Sequence, residues 1–137
     1  SYDYLKEIKD PDRLSEAQQL ERVQLGANLL EKRGDHSSAI RYLLEVIKSW
    51  KGQPALVAEP FLQLAALEEK MGRKSDAKNS YKKIDDLMND SGAVPVSVHV
   101  KALERLSDLQ LKDGEKSAAT ATLQRLLDLY EKERPLE

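Results

Sequence analysis

One short phrase occurs three times in this chain. Gly34-Asp-His-Ser-Ser-Ala39 returns as Gly72-Arg-Lys-Ser-Asp-Ala77 and again as Gly114-Glu-Lys-Ser-Ala-Ala119, with constant Gly–Ser and Gly–Ala spacing. Glycine reaches positive φ and so can end a helix. The serine is expected to cap the next helix, and the alanine to let the two helices approach closely. A turn of this kind, repeated, predicts a stack of helical hairpins that presents an extended surface to another protein.

The flanking residues carry helical spacing. Leu14, Ala17, Leu20, Val23, Ala27 and Leu30 lead to Gly34; Ala39, Ile40, Leu43, Val46, Ile47 and Trp50 follow it. Phe61, Leu64, Ala65, Leu67 and Met71 precede Gly72, and Ala77, Tyr81, Ile84, Leu87 and Met88 come after. Val100, Leu103, Leu106, Leu109 and Leu111 precede Gly114, and Ala119, Leu123, Leu126, Leu127 and Tyr130 follow. Lys51–Pro54 reads as a turn and Asn89–Pro95 as the longest linker. Asp10-Pro11 either breaks the chain or starts the first helix. Pro60 either kinks a helix that begins at Pro54 or lies in the first turn of one that begins at Glu59. Tyr4, Leu5 and Ile8 give residues 2–9 the pattern of a short helix at the open end of the stack.

Several function classes are disfavoured. A net charge of −2 over 137 residues argues against nucleic acid as the partner. No apolar run approaches the ~20 residues of a membrane-spanning helix, so a membrane enters only through a missing anchor or a partner. The start at Ser1 rather than Met predicts an excised or processed piece of something longer. With no cysteine, disulfides and thiolate chemistry are excluded. His36, in a turn, and His99, at a helix start, belong to no metal-ligand spacing and are expected at the surface. Asp85 and Asp86 point to different faces of a helix. No phosphate-binding glycine loop, nucleophile elbow or calcium loop occurs. The expectation is a non-enzyme without cofactor or metal.

These residues resemble the tetratricopeptide repeat, a helix–turn–helix unit of 34 residues. Aligned on the turn glycines, its early large positions are Val23, Phe61 and Leu103. Its small mid-helix pairs are Gly26-Ala27, Leu64-Ala65 and Leu106-Ser107, and its second-helix alanines are Ala39, Ala77 and Ala119. Leu43, Tyr81 and Leu123 stand four residues further on. Where the family usually carries an aromatic residue, this chain has Leu30, Glu68 and Gln110, which predicts more polar helix ends in the second and third units. The likeness covers residues 11–135, in units of about 11–53, 54–94 and 95–135, with 1–10 as an N-terminal segment. It implies an all-α, right-handed superhelical stack of three hairpins. The long first helices are similar in style to those of bacterial envelope proteins, which implies a periplasmic, membrane-tethered setting.

The resemblance also implies a concave groove lined by the first helix of each unit. The positions carried over are Glu21, Gln24, Leu25 and Asn28; Glu59, Leu62, Gln63 and Ala66; and Lys101, Glu104, Arg105 and Asp108. Leu25 and Leu62 are the apolar candidates for ligand contact, on faces the core is not expected to need. Some relatives grip a free C-terminal carboxylate, and the matching positions here are Gln24, Asn28, Gln63, Lys101 and Arg105, with Glu104 and Asp108 blunting the two cations. Leu62 and Arg105 are expected to be replaceable with little effect on folding. The partner expected is a peptide or helix of another protein. The rival reading is a structural spacer or oligomerisation domain. Trp50 is expected to pack against the following unit.

Overall fold

A computed structural model describes residues 14–133. The segment 1–10, its expected short helix and Pro135 lie outside the described residues. Within them the chain is all-helical: α1 Glu16–Lys32, α2 His36–Ser49, α3 Pro54–Lys70, α4 Lys74–Ser91, α5 Val96–Lys112 and α6 Lys116–Glu133. Consecutive helices pack on one another, and α1 also touches α3 as α3 touches α5. The three first helices therefore lie side by side.

α1 starts at a capping box rather than at Asp10-Pro11. The Gln18 amide donates to Ser15 Oγ (3.2 Å), and the Ser15 amide donates back to Gln18 Oε1 (2.9 Å), so two otherwise orphaned helix-end donors are satisfied.

The three turns are built alike. Gly34, Gly72 and Gly114 have φ of 79°, 76° and 76°. Their amides donate to Glu31, Glu69 and Leu111 carbonyls, and the next amides, of Asp35, Arg73 and Glu115, reach back to Leu30, Glu68 and Gln110. This is the Schellman pattern, which closes the end of a helix through backbone alone. The expected serine caps are not formed. Ser37, Ser75 and Ser117 lie inside the first turn of the second helices, and the residue after the glycine takes the cap position instead. Asp35 accepts from the Ser38 amide at 3.1 Å, whereas Arg73 makes no side-chain cap bond.

Ala39, Ala77 and Ala119 are fully buried, as close helix approach requires. Two clusters fill the interior. Val23, Ala27, Ala39, Ile40 and Leu43 meet Leu64 and Leu67 of α3, with Trp50 packed against them. Ala58, Ala65, Ala77, Tyr81 and Ile84 meet Val94, Val98, Ala102, Leu106 and Leu109. Each cluster thus binds one hairpin to the first helix of the next.

Pro60 sits within α3, which begins at Pro54, so the Leu56 carbonyl has no amide donor four residues on. The expected linker at Asn89–Pro95 is shorter than its composition suggested. α4 runs through Ser91 and ends on Gly92, at φ 66°, and Val94 is buried in the second cluster.

Glu68 and Gln110, the polar residues at these helix ends, are buried. Ser80 Oγ donates to Glu68 Oε1, and Thr122 Oγ1 to Gln110 Oε1, each across 2.7 Å. Burial pushes the Glu68 carboxyl up, and the bond from Ser80 opposes this only in part. The first hairpin carries Leu30 and Tyr42 in the same places, both packed against the core. A Cβ on Gly26 would come within 3.0 Å of the Tyr42 ring, so the glycine makes room for the tyrosine.

His99 is also buried, contrary to its expected surface position. Its Nε2 lies 2.7 Å from Asp85 Oδ1, which Arg125 Nη2 approaches at 2.6 Å. Burial raises the Asp85 carboxyl, but the His99 and Arg125 bonds outweigh it and hold the group below the usual carboxylate range. Among the described residues, no helix is long and apolar enough to cross a membrane.

Candidate protein-interaction groove

The groove positions come from three helices in register: Gln24, Leu25 and Asn28 on α1; Leu62, Gln63 and Ala66 on α3; Lys101, Glu104, Arg105 and Asp108 on α5. Four of them converge. Leu62, Ala66, Lys101 and Arg105 line a pocket of about 250 Å³ between α3 and α5, together with Glu69, Lys70 and Tyr81. That is below the ~300–1,000 Å³ of small-molecule sites. It suits a single inserted side chain.

The pocket wall is fixed by a network around Glu69. Tyr81 Oη donates to Glu69 Oε2, which Arg105 Nε reaches at 3.2 Å, while Arg105 Nη2 bonds Glu69 Oε1. Arg105 Nη1 turns to Asp108 Oδ2 at 3.0 Å. Burial raises the Glu69 carboxyl, but the hydrogen bonds from Arg105 and Tyr81 prevail and leave it below its ordinary value. Burial, and then the bond to Glu69, push the Tyr81 hydroxyl well up. The hydrogen bond to Glu69 makes Arg105 harder still to deprotonate. The tyrosine therefore remains a donor and the arginine a cation across all working pH.

The other positions divide differently. Gln63 Nε2 donates to Asn28 Oδ1 (3.1 Å) and to the Gln24 carbonyl (3.3 Å), a strap between α1 and α3. Leu25 is 61% exposed, whereas Leu62 is half-buried and packs against the second cluster. Glu104 and Ala66 are exposed, and Lys101, also exposed, forms no ion pair among the described residues. Two expectations need correcting. Leu62 does serve the core, and Arg105 holds α5 to α3, so neither is a silent position. Three members of the carboxylate clamp, Asn28, Gln63 and Arg105, are engaged by partners within the chain, which leaves Lys101 as its exposed cation.

Glu69 and Tyr81 were not among the groove candidates. Tyr81 reads as core because its repeat equivalents are Leu43 and Leu123. The residue is indeed buried, but its hydroxyl bonds Glu69 at the pocket wall. The available signal was the single hydroxyl at that place in the repeat, with an acid before it and Arg105 in the next unit. Further ties join the hairpins elsewhere: Lys70 to Glu31, and Lys78 to Asp113 (2.6 Å) and Glu115 (3.0 Å).

Comparison with models of known protein families gives no match, and comparison with curated proteins gives none either.

Proposed function

We propose that this chain is a protein-interaction module of the tetratricopeptide type. It would be a right-handed superhelical stack whose first helices α1, α3 and α5 offer a preformed concave groove to a peptide or helix. The supporting observation is the pocket shared by Leu62, Ala66, Lys101 and Arg105. An apolar side chain of the partner enters beside Leu62 and Ala66, and a neighbouring carboxylate pairs with Lys101. The Glu69 network is in place before binding, so little ordering cost falls on the module. An isolated peptide should bind in the micromolar range, roughly −8 kcal/mol. The bacterial envelope remains the proposed setting.

Selection from a random peptide display library against the immobilised chain tests this reading. The expected consensus pairs an apolar residue with Asp or Glu. Ala66→Trp, which fills the pocket, and Lys101→Glu, which reverses its exposed charge, should each abolish capture with the melting temperature unchanged. Equal capture by Ala66→Trp would remove the groove from the account. The spacer or oligomerisation reading predicts instead a stable self-associated form in sedimentation.

A further inference from the structure

The two ends of the stack are not alike. Within the chain, each hairpin is covered by the first helix of the next. α5 lays Val98, Ala102, Leu106 and Leu109 on the second hairpin. α3 lays Leu64 and Leu67 on the first, with buried Leu56 and Pro60 at the places of Val98 and Ala102. The surfaces receiving them include Leu43, fully buried, and Tyr81, 2% exposed.

The third hairpin carries the same receiving surface without a cover among the described residues. Leu123, the equivalent of Leu43 and Tyr81, is 44% exposed; Leu127 is 49%, Tyr130 45% and Leu111 51% exposed. Tyr130 stands where Trp50 and Met88 pack inward. Leu111 replaces Glu31 and Glu69, the acids that tie the earlier units to Lys70 and Arg105. This end is thus more apolar than the internal junctions, and it lacks the acid that would call for a cation.

A second copy stacked head to tail does not fit it. The incoming helix would be α1, whose equivalents of Val98, Ala102, Leu106 and Leu109 are Gln18, Arg22, Gly26 and Leu29. Gln18 and Arg22 are exposed, and Arg22 would fall where Pro60 and Ala102 are buried, so an uncompensated charge would be trapped. At these positions α1 presents a largely polar face, whereas the exposed face of α6 is apolar.

We propose that the face formed by Leu111, Leu123, Leu127 and Tyr130 docks an amphipathic α-helix of another protein, continuing the junction that occurs twice inside the chain. The fitting helix carries apolar side chains at i, i+4, i+8 and i+11, small at i+4 as Ala102 is. It carries an uncharged residue at i+7, the place of Arg105. This face is distinct from the groove.

The probe is a labelled synthetic peptide with the α5 sequence, Val96–Lys112, in its own form and with Arg105→Leu, measured by fluorescence anisotropy against the whole chain. The Arg105→Leu peptide should bind at least about fivefold more tightly than the unaltered one, because burying the guanidinium against Leu111 is unfavourable. Leu127→Glu in the chain should weaken that binding by more than about tenfold while leaving the fold intact, since the side chain is exposed. A peptide that invaded the stack and displaced α5 would show the reverse preference, for arginine opposite Glu69. That result, or indifference to Leu127→Glu, overturns the proposal. A dimer in sedimentation that Leu127→Glu dissociates also overturns it and assigns the face to a second copy.

Discussion

Ser80 donates its hydroxyl proton to a buried carboxylate, Glu68, across 2.7 Å inside the second hairpin. The third hairpin holds the same bond with a neutral acceptor, from Thr122 to Gln110 at the same distance. The chain therefore contains both versions of one interior contact, charged and uncharged.

Glu68→Gln should stabilise the protein at pH 7 by about 1 kcal/mol, since the hydrogen bond survives and a buried charge disappears. The folded carboxyl is raised above its ordinary value of 4.5. Its protonated form favours the fold below 4.5, and that advantage is lost as pH rises through the folded value. Urea denaturation at several pH values checks this: the gap between variant and wild type should close as pH falls below 4.5.

The Glu69 network has the opposite sign. That carboxyl is depressed below 4.5, so its contribution is present above 4.5 and lost as pH falls through the lower folded value. Arg105→Ala should cost about 1 kcal/mol at pH 7, discounted because the arginine side chain is one-third exposed. Unfolding curves should show that cost shrinking in acid.

Ala77→Phe should overpack the middle hairpin and cost about 1–3 kcal/mol. Ala121→Phe, on the exposed side of α6, should change the melting temperature little. Equal melts for the two variants would contradict the packing assigned to the repeated alanine.

Asp35→Ala should lower the melting temperature by removing the cap on the Ser38 amide. Ser37→Ala should leave it unchanged, because Ser37 caps nothing.

The turns and the alanines were legible because their requirements are local: a positive φ and the absence of bulk. The serine caps misread the same turn, since the Schellman closure shifts the cap to the residue after glycine. His99 was misplaced because its role depends on Asp85, in the preceding helix, and on Arg125, in the following one. The candidate site was half legible. Register put Leu62, Ala66, Lys101 and Arg105 on one face, but the contact of Arg105 with Glu69 and Tyr81 crosses between units. Leu111, Leu123, Leu127 and Tyr130 read as core from their spacing. Spacing reveals which face is apolar, not whether another helix covers it.

Asp35, Arg73 and Glu115 each close one helix through an amide and open the next through a carbonyl, which accepts from Ala39, Ala77 and Ala119 in turn. A joint in which one residue belongs to both arms leaves little slack, so each hairpin should behave as a rigid plate. Compliance should fall to the four-residue connections Trp50–Gln53 and Gly92–Pro95, although Trp50 and Val94 anchor each of them in the core. Under load or on binding, the stack should flex between plates like a folding ruler. The pocket between α3 and α5 straddles such a joint, and the bond from Arg105 to Glu69 restrains its bending there.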